Sequence, residues 1–320
     1  MRLCRYIHNK QTDVGLFDEK AIIPLAAAAK AYGDATHDKL KLPAGDDLLP
    51  LLPPDGEAFA AVKKVSEWTS RNDAMIAGLR LAVEDVELLR PIGRPNKLLL
   101  LAGNYNEHIT EGGGAATERK ETFPYVFMKP PSTALTDPFK PVIIPKISPD
   151  HIDWELELCI VIGGKARHVT EAEALEYVAG YTVVNDISDR KFRPNPGRKE
   201  RTNDKWFDWE HGKWHDSFCP CGPCIATADA IADPQKLKMK LSVNGQVKQD
   251  ATTAQQIFPV AAVVAFISDV VTLEPGDLIA TGTPAGVGNA SGTYLKPGDK
   301  CEAWIEGIGT LISPIVAENG

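Results

Sequence analysis

Asp153-Trp154-Glu155-Leu156-Glu157-Leu158, running directly into Cys159-Ile160-Val161-Ile162, sets three carboxylates at alternate positions ahead of an apolar run. In a strand alternate side chains share a face, so the pattern predicts Asp153, Glu155 and Glu157 on one side and Trp154, Leu156 and Leu158 on the other. The run after them is apolar on both faces, which predicts a strand buried on both sides, where an unpaired carboxylate is costly. Something cationic is therefore expected beside Glu155 and Glu157. Carboxylate oxygens suit a hard divalent ion, magnesium or manganese, with calcium also compatible. Tyr181-Thr182-Val183-Val184-Asn185-Asp186 reads as a second, β-branched strand that delivers Asp186 as a third ligand from its end. The competing reading is an amphipathic strand with its charges in water.

The chain has 320 residues, 43% of them hydrophobic, enough for one large domain or two unequal ones with a normal core. A net charge of -8 and a pI near 5.5 argue against a nucleic-acid binder and favour a soluble metabolic protein acting on a small molecule. Polar residues follow the first eight, where a secretory signal needs an apolar stretch. The longest apolar segment, 257–271, is interrupted by Pro259, Ser268 and Asp269 and reads as a buried helix, with no membrane partner expected. Cys219, Cys221 and Cys224 cluster without a matching fourth ligand, so reduced cytoplasmic thiols are expected in place of a metal knuckle.

Residues 1–90 read as a small N-terminal domain, with helices at 26–32 and 57–71 separated by the Pro-rich 48–54. From 91 to 320 the texture changes to strands at 98–101, 141–144, 156–162, 182–185, 237–243 and 278–281. Helices interrupt only near 171–178 and 254–267. That balance predicts an α+β fold with a large mixed sheet and few helices. Ala285-Gly286-Val287-Gly288 lacks the phosphate-loop pattern and opens no dinucleotide helix, so no nucleotide cofactor is expected.

Gly103-Asn104-Tyr105-Asn106-Glu107-His108-Ile109-Thr110-Glu111 precedes Gly112-Gly113-Gly114, which resists helix. On one or two helical turns His108 and Glu111 share a face, a spacing that lets a carboxylate orient an imidazole general base on a closing lid. The alternative is an incidental surface pair.

These segments stand in an order that resembles the fumarylacetoacetate hydrolase superfamily. The resemblance runs through the His-x-x-Glu segment, Pro124-Tyr125-Val126-Phe127-Met128-Lys129-Pro130, the Glu-x-Glu strand and Gly180-Tyr181-Thr182-Val183-Val184-Asn185-Asp186-Ile187-Ser188. It continues through Thr272-Leu273-Glu274-Pro275-Gly276-Asp277, Ile279-Ala280-Thr281-Gly282-Thr283-Pro284-Ala285-Gly286-Val287-Gly288 and Glu306-Gly307-Ile308-Gly309-Thr310-Leu311, spanning about 98–314. It implies that residues 91–320 form the family's catalytic domain, a β-sheet roll or sandwich, behind a small variable N-terminal domain. It also implies metal ligands Glu155, Glu157 and Asp186, a water-activating dyad of His108 and Glu111, and Lys213 stabilising developing negative charge. Arg190 and Thr283 would face substrate, with Lys129 near it, and relatives are mostly homodimers.

After Ser188 many members read Ala-Arg-Asp-x-Gln, whereas this chain reads Asp189-Arg190-Lys191-Phe192-Arg193. Arg193 thus replaces a substrate-facing glutamine, and its planar fork suits a second carboxylate or a polyhydroxy tail. The longer segment 194–211, with nearly cancelling charges, reads as a solvated loop. The expected reaction is metal-dependent hydrolysis of a carbon–carbon bond in a 2,4-dioxo acid: an acylpyruvate, fumarylpyruvate or a diketo-deoxy sugar acid. The alternatives are isomerisation of a 2-hydroxyhepta-2,4-diene-1,7-dioate, decarboxylation or tautomerisation of oxaloacetate, and a non-enzymatic metal-stabilised binding module.

Overall fold

The computed structural model describes residues 1–319. The strand Leu156–Ile162 is buried at every position, lying between Val178–Asn185 on one side and Leu278–Ala280 on the other, both antiparallel to it. Burial on both faces explains its unbroken apolar composition. Each of its aliphatic side chains contributes about 1.5–3 kcal/mol when fully buried.

This strand sits inside a 12-stranded mixed sheet. The only parallel pair on the sheet's main path joins Leu278–Ala280 to Leu98–Ala102, and Tyr125–Met128 forms the edge beyond it. On the far side come Cys219–Thr227, then Arg2–His8 and Gln11–Phe17. The strands of the first 90 residues therefore extend the same sheet as the rest of the chain. A five-stranded sheet, from Gln246–Thr252 through Lys238–Val243, Lys300–Ile305 and Gly309–Ala317 to Val142–Ile144, packs against one face of it. Leu156, Leu158, Ile160 and Ile162 meet Met239, Leu241, Ala303 and Leu311 in that core. On the opposite face Cys159 and Val161 belong to a second core closed by Ala28 of the helix Leu25–Thr36 and by Val62 and Val65 of Glu57–Arg71. The fold is α+β, with large mixed sheets and few helices.

Several expectations are corrected. The helix expected over 171–178 is a single 3-10 turn, Ala174–Tyr177, followed by the strand Val178–Asn185. Within that strand Gly180 lies so close to its neighbour that a Cβ would fall 2.2 Å from the Ala226 carbonyl oxygen. The helix expected from 254 begins at Val260, because Pro259 occupies its N-cap, and a separate capped turn precedes it at Thr253–Gln255. Segment 194–211 is not simply a solvated loop: it carries the helix Asp204–His211, with Asp204 and Glu210 buried. Its charges cancel by pairing locally, Arg198 with Asp204 and Asp208, and Arg201 with Asp204. The cysteine-rich stretch is the strand Cys219–Thr227, and all six cysteines are free and buried. Among the described residues no helix is long and apolar enough to cross a membrane.

Candidate metal and catalytic site

The acidic run divides before it reaches the sheet. Ile152–Asp153 pairs with Ser188–Asp189 in a small ladder of its own, and the main strand starts only at Leu156. At the break the Asp186 amide donates to the Glu155 carbonyl at 2.8 Å, bringing the two segments together. Asp153 consequently takes a set of partners of its own. Asp153 accepts from the amides of Trp154, Gly288 and Asn289 at 2.8, 2.6 and 2.9 Å and from Arg190 Nε at 2.7 Å. Gly288 is required there, since a Cβ would lie 2.0 Å from the Thr293 carbonyl oxygen.

Glu155, Glu157 and Asp186 stay together, each offering an oxygen within 4.8 Å of the others, all buried. Glu155 is braced by Arg190 at 2.5 Å and by Lys213 Nζ at 2.8 Å. Burial pushes its carboxyl up, but Arg190 and Lys213 outweigh that and hold it well below the usual range. Glu157 has only the Gly282 amide, at 2.7 Å, and among the described residues no cationic side chain pairs with it. Burial first, then Asp186 and Glu155, push its carboxyl far up. A buried carboxylate facing two others without its own counter-charge is the opening a hard divalent cation fits.

Lys213 donates to Glu155 Oε2 at 2.8 Å and to Asp186 Oδ2 at 2.5 Å, leaving one of its three protons free. Burial disfavours its charge, but Asp186 and Glu155 more than compensate and raise its pKa. The rings of Phe127 and Trp209 lie 5.2 and 5.5 Å from its ammonium. Trp209 was missed from sequence because its segment reads as charged loop; the Trp206-Phe207-x-Trp209 spacing was the available signal.

The sheet also places the other nominated residues. His108 Nδ1 lies 2.8 Å from Glu111 Oε1 on the short helix Asn106–Glu111, and Glu111 Oε2 accepts from the Gly286 amide at 2.9 Å. Burial opposes Glu111's charge, but His108 and the Gly286 amide prevail and lower its pKa. An ionised carboxylate only accepts, so Nδ1 carries the proton of this contact, and in the neutral form of the ring the lone pair is on Nε2. Lys129 lies beside the triad, on Asp186. Its fully buried ammonium pairs with Asp186 and donates to the carbonyls of Ile187 and Phe218 at 2.9 and 2.5 Å, so all three protons are used. Arg190 is nearly buried and bridges Asp153 and Glu155. The Thr283 hydroxyl donates to the Leu156 carbonyl at 3.0 Å and accepts from Gln249 at 2.8 Å. Arg193 is not brought to the site: it is exposed and pairs with Glu200 at 2.7 Å, the surface partner its own loop supplies.

A buried carboxylate triad flanked by two lysines and a His–Glu dyad thus stands on a mixed sheet with few helices, and that fold and site define the class. The chain belongs to the fumarylacetoacetate hydrolase superfamily: the family profile described as fumarylacetoacetate (FAA) hydrolase C-terminal matches residues 97–316. A 2,4-didehydro-3-deoxy-L-rhamnonate hydrolase of Sphingomonas sp. (strain SKA58) is 40% identical over 257 residues, 79% of this chain and 82% of that protein. A mitochondrial oxaloacetate tautomerase of Rattus norvegicus is 37% identical over 233 residues, 72% of this chain and 70% of that one. Among solved structures, maleylpyruvate hydrolase from Sphingobium sp. SYK-6, in complex with manganese(II) ion and pyruvate, is 29% identical with a TM-score of 0.71, covering 100% of both chains.

Proposed function

We propose that the protein hydrolyses a carbon–carbon bond in a 2,4-dioxo acid, releasing pyruvate or a substituted pyruvate and a carboxylic acid. The observation that carries this reading is the His108–Glu111 pair, oriented at 2.8 Å and latched to the Gly286 amide. Hydrolysis needs a base placed to activate water, and this pair supplies one. Glu155, Glu157 and Asp186 would hold magnesium or manganese, which supplies Lewis-acid polarisation of the 2-oxo group. His108 Nε2 takes a proton from water, whose oxygen adds to the distal carbonyl carbon. The free proton of Lys213 faces the oxyanion that develops there. Collapse breaks the bond between C3 and C4, its electron pair passes to C3 as the enolate of the 2-oxo acid, and the proton held by His108 returns to that carbon. Support comes from the two hydrolases among the relatives, one of a diketo-deoxy sugar acid and one of maleylpyruvate.

A second reading, oxaloacetate tautomerisation, is favoured by the oxaloacetate tautomerase among the relatives. The two separate on His108→Ala. Loss of the enol absorbance of acetylpyruvate should fall by about a hundredfold or more in this variant, the usual contribution of a positioned base. Oxaloacetate tautomerisation that persists in His108→Ala, with no acetylpyruvate cleavage by the wild type, would establish the second reading.

We also propose a homodimer in the cytoplasm, the compartment that six free cysteines suit. Phe123, Tyr125, Met128, Trp206, Phe207 and Val270 are exposed around the edge strand Tyr125–Met128. Together they offer an exposed apolar patch on the order of a few hundred Å², the size at which a patch marks an interaction site. Two concavities of about 550 and 400 Å³ lie beside them, both lined by Tyr125, Val126 and Trp206. Projecting rings next to grooves on one patch are what a two-fold contact needs. Sedimentation velocity is expected to show a dimer that Val270→Arg and Tyr125→Glu dissociate and that Met75→Glu, at an exposed apolar residue elsewhere, leaves intact. A monomeric wild type would refute the dimer.

A further inference from the structure

Asp189 closes the small ladder beyond the Asp186 turn, and its side chain is completely buried. Its Oδ1 accepts from the Lys191 amide at 3.2 Å, but its Oδ2 has no hydrogen-bond partner. Opposite it, at 3.6 Å, is His215 Nε2, also buried and also without a hydrogen bond. The imidazole is wedged between Phe192 and Phe218, with ring centroids 5.1 and 4.9 Å away. Polar atoms buried in this way are costly unless they are used together. A gap of 3.6 Å is closed by a shift of well under 1 Å into a charge-assisted hydrogen bond.

The place of the pair in the chain gives it a task. Asp189 lies three residues beyond Asp186 and next to Arg190. His215 lies two residues beyond Lys213 and three before Phe218, whose carbonyl accepts from Lys129 at 2.5 Å. The two segments meet otherwise through the Asp189 amide and the Gly212 carbonyl at 2.9 Å, where a Cβ on Gly212 would fall 2.5 Å from the Asp189 carbonyl oxygen. Behind the turn a concavity of about 790 Å³, lined in part by Phe192, His211, Trp214 and His215, leaves room for the turn to move if the tie is cut.

We infer that Asp189 and His215 are a positioning pair that sets the turn carrying Lys213, and the Phe218 carbonyl that orients Lys129, against the strand end carrying Asp186 and Arg190. The inference deepens the proposed hydrolase reading and rests on it only for its kinetic arm. Neither residue touches substrate; each acts through the lysines.

The test uses the full-length protein as wild type, Asp189→Ala, Asp189→Asn, His215→Phe and the double variant Asp189→Ala/His215→Phe. Three quantities are read: melting temperature, manganese(II) affinity by titration calorimetry, and kcat and KM on acetylpyruvate. Each alanine or phenylalanine single variant is expected to lose about tenfold in kcat with KM changed by less than about twofold, and to bind manganese about fivefold more weakly, because a displaced Lys213 no longer holds the Glu155 and Asp186 oxygens together. Asp189→Asn, which keeps a hydrogen-bonding group, should recover part of both losses. The double variant removes the same tie as either single variant, so it should lose about as much as one of them and not the sum of the two. Single variants with wild-type metal affinity and kcat would overturn the inference, as would a double variant that merely adds the two single losses or losses that follow melting temperature alone. If His215→Phe does not fold, Asp189→Ala against Asp189→Asn decides. A wild type that leaves acetylpyruvate untouched would defeat the hydrolase reading, and the metal affinities would still decide on the pair.

Discussion

Glu157→Ala is expected to lower metal-dependent turnover by about a thousandfold or more while leaving the protein folded. The choice of residue follows from its surroundings. Removing Glu155 would take one of two carboxylate partners from both Arg190 and Lys213, and removing Asp186 would leave Lys129 with none, so losses in those variants would mix chemistry with misfolding. Glu157 answers only the Gly282 amide, and it crowds two like charges. Its removal should therefore leave the melting temperature unchanged or slightly raised in the absence of metal, while the stabilisation that added manganese gives the wild type should disappear. Chelator treatment of the wild type should reproduce the loss of turnover and magnesium or manganese should reverse it, whereas the variant should not respond. Full activity in Glu157→Ala, or in chelated wild type, would remove the triad from the reaction.

Lys129→Met should be the most destabilising single change at the site, by about 3–5 kcal/mol, the cost of leaving one partner of a buried ion pair alone. Methionine matches the length of the stem but supplies none of the three protons now given to Asp186, Ile187 and Phe218. Two carbonyls and the Oδ1 of Asp186 would then be buried without donors, while Oδ2 keeps Lys213. Urea unfolding at neutral pH, with the midpoint converted through an unchanged slope, measures the loss. Bound manganese should restore part of it by giving Asp186 another counter-charge. A variant as stable as wild type, with only KM raised, would show instead that Lys129 meets the substrate.

The site was legible in sequence wherever side-chain type and strand position together constrain the chemistry. Glu155, Glu157 and Asp186 could be nominated because carboxylates beside an apolar, doubly buried strand demand a cation, and the strand Leu156–Ile162 falls at the bounds its composition indicates. The His108–Glu111 contact followed from helical spacing alone. Alternation misjudged Asp153, because a period of two presumes one continuous strand and the backbone breaks before Leu156. What could not be read was which partner each cation would choose. Lys129 and Lys213 look alike in sequence, yet one spends all its protons on the protein and the other keeps one. Arg193 illustrates the reverse case: a guanidinium suited to a substrate carboxylate is claimed by Glu200, seven residues away on its own loop. The helix Asp204–His211 was hidden by its charges, which are paired locally and not simply solvated.

The order in which the large sheet is threaded has a consequence for biosynthesis. Arg2–His8 is made long before its neighbour Cys219–Thr227, and Leu98–Ala102 must wait for Leu278–Ala280. Both strands therefore stand with an open edge until distant segments of the chain have been made. Such a topology folds slowly and leaves nascent chains exposed to mispairing with one another. Yield in a heterologous host should accordingly depend more on growth temperature and chaperone capacity than on the equilibrium stability of the finished protein.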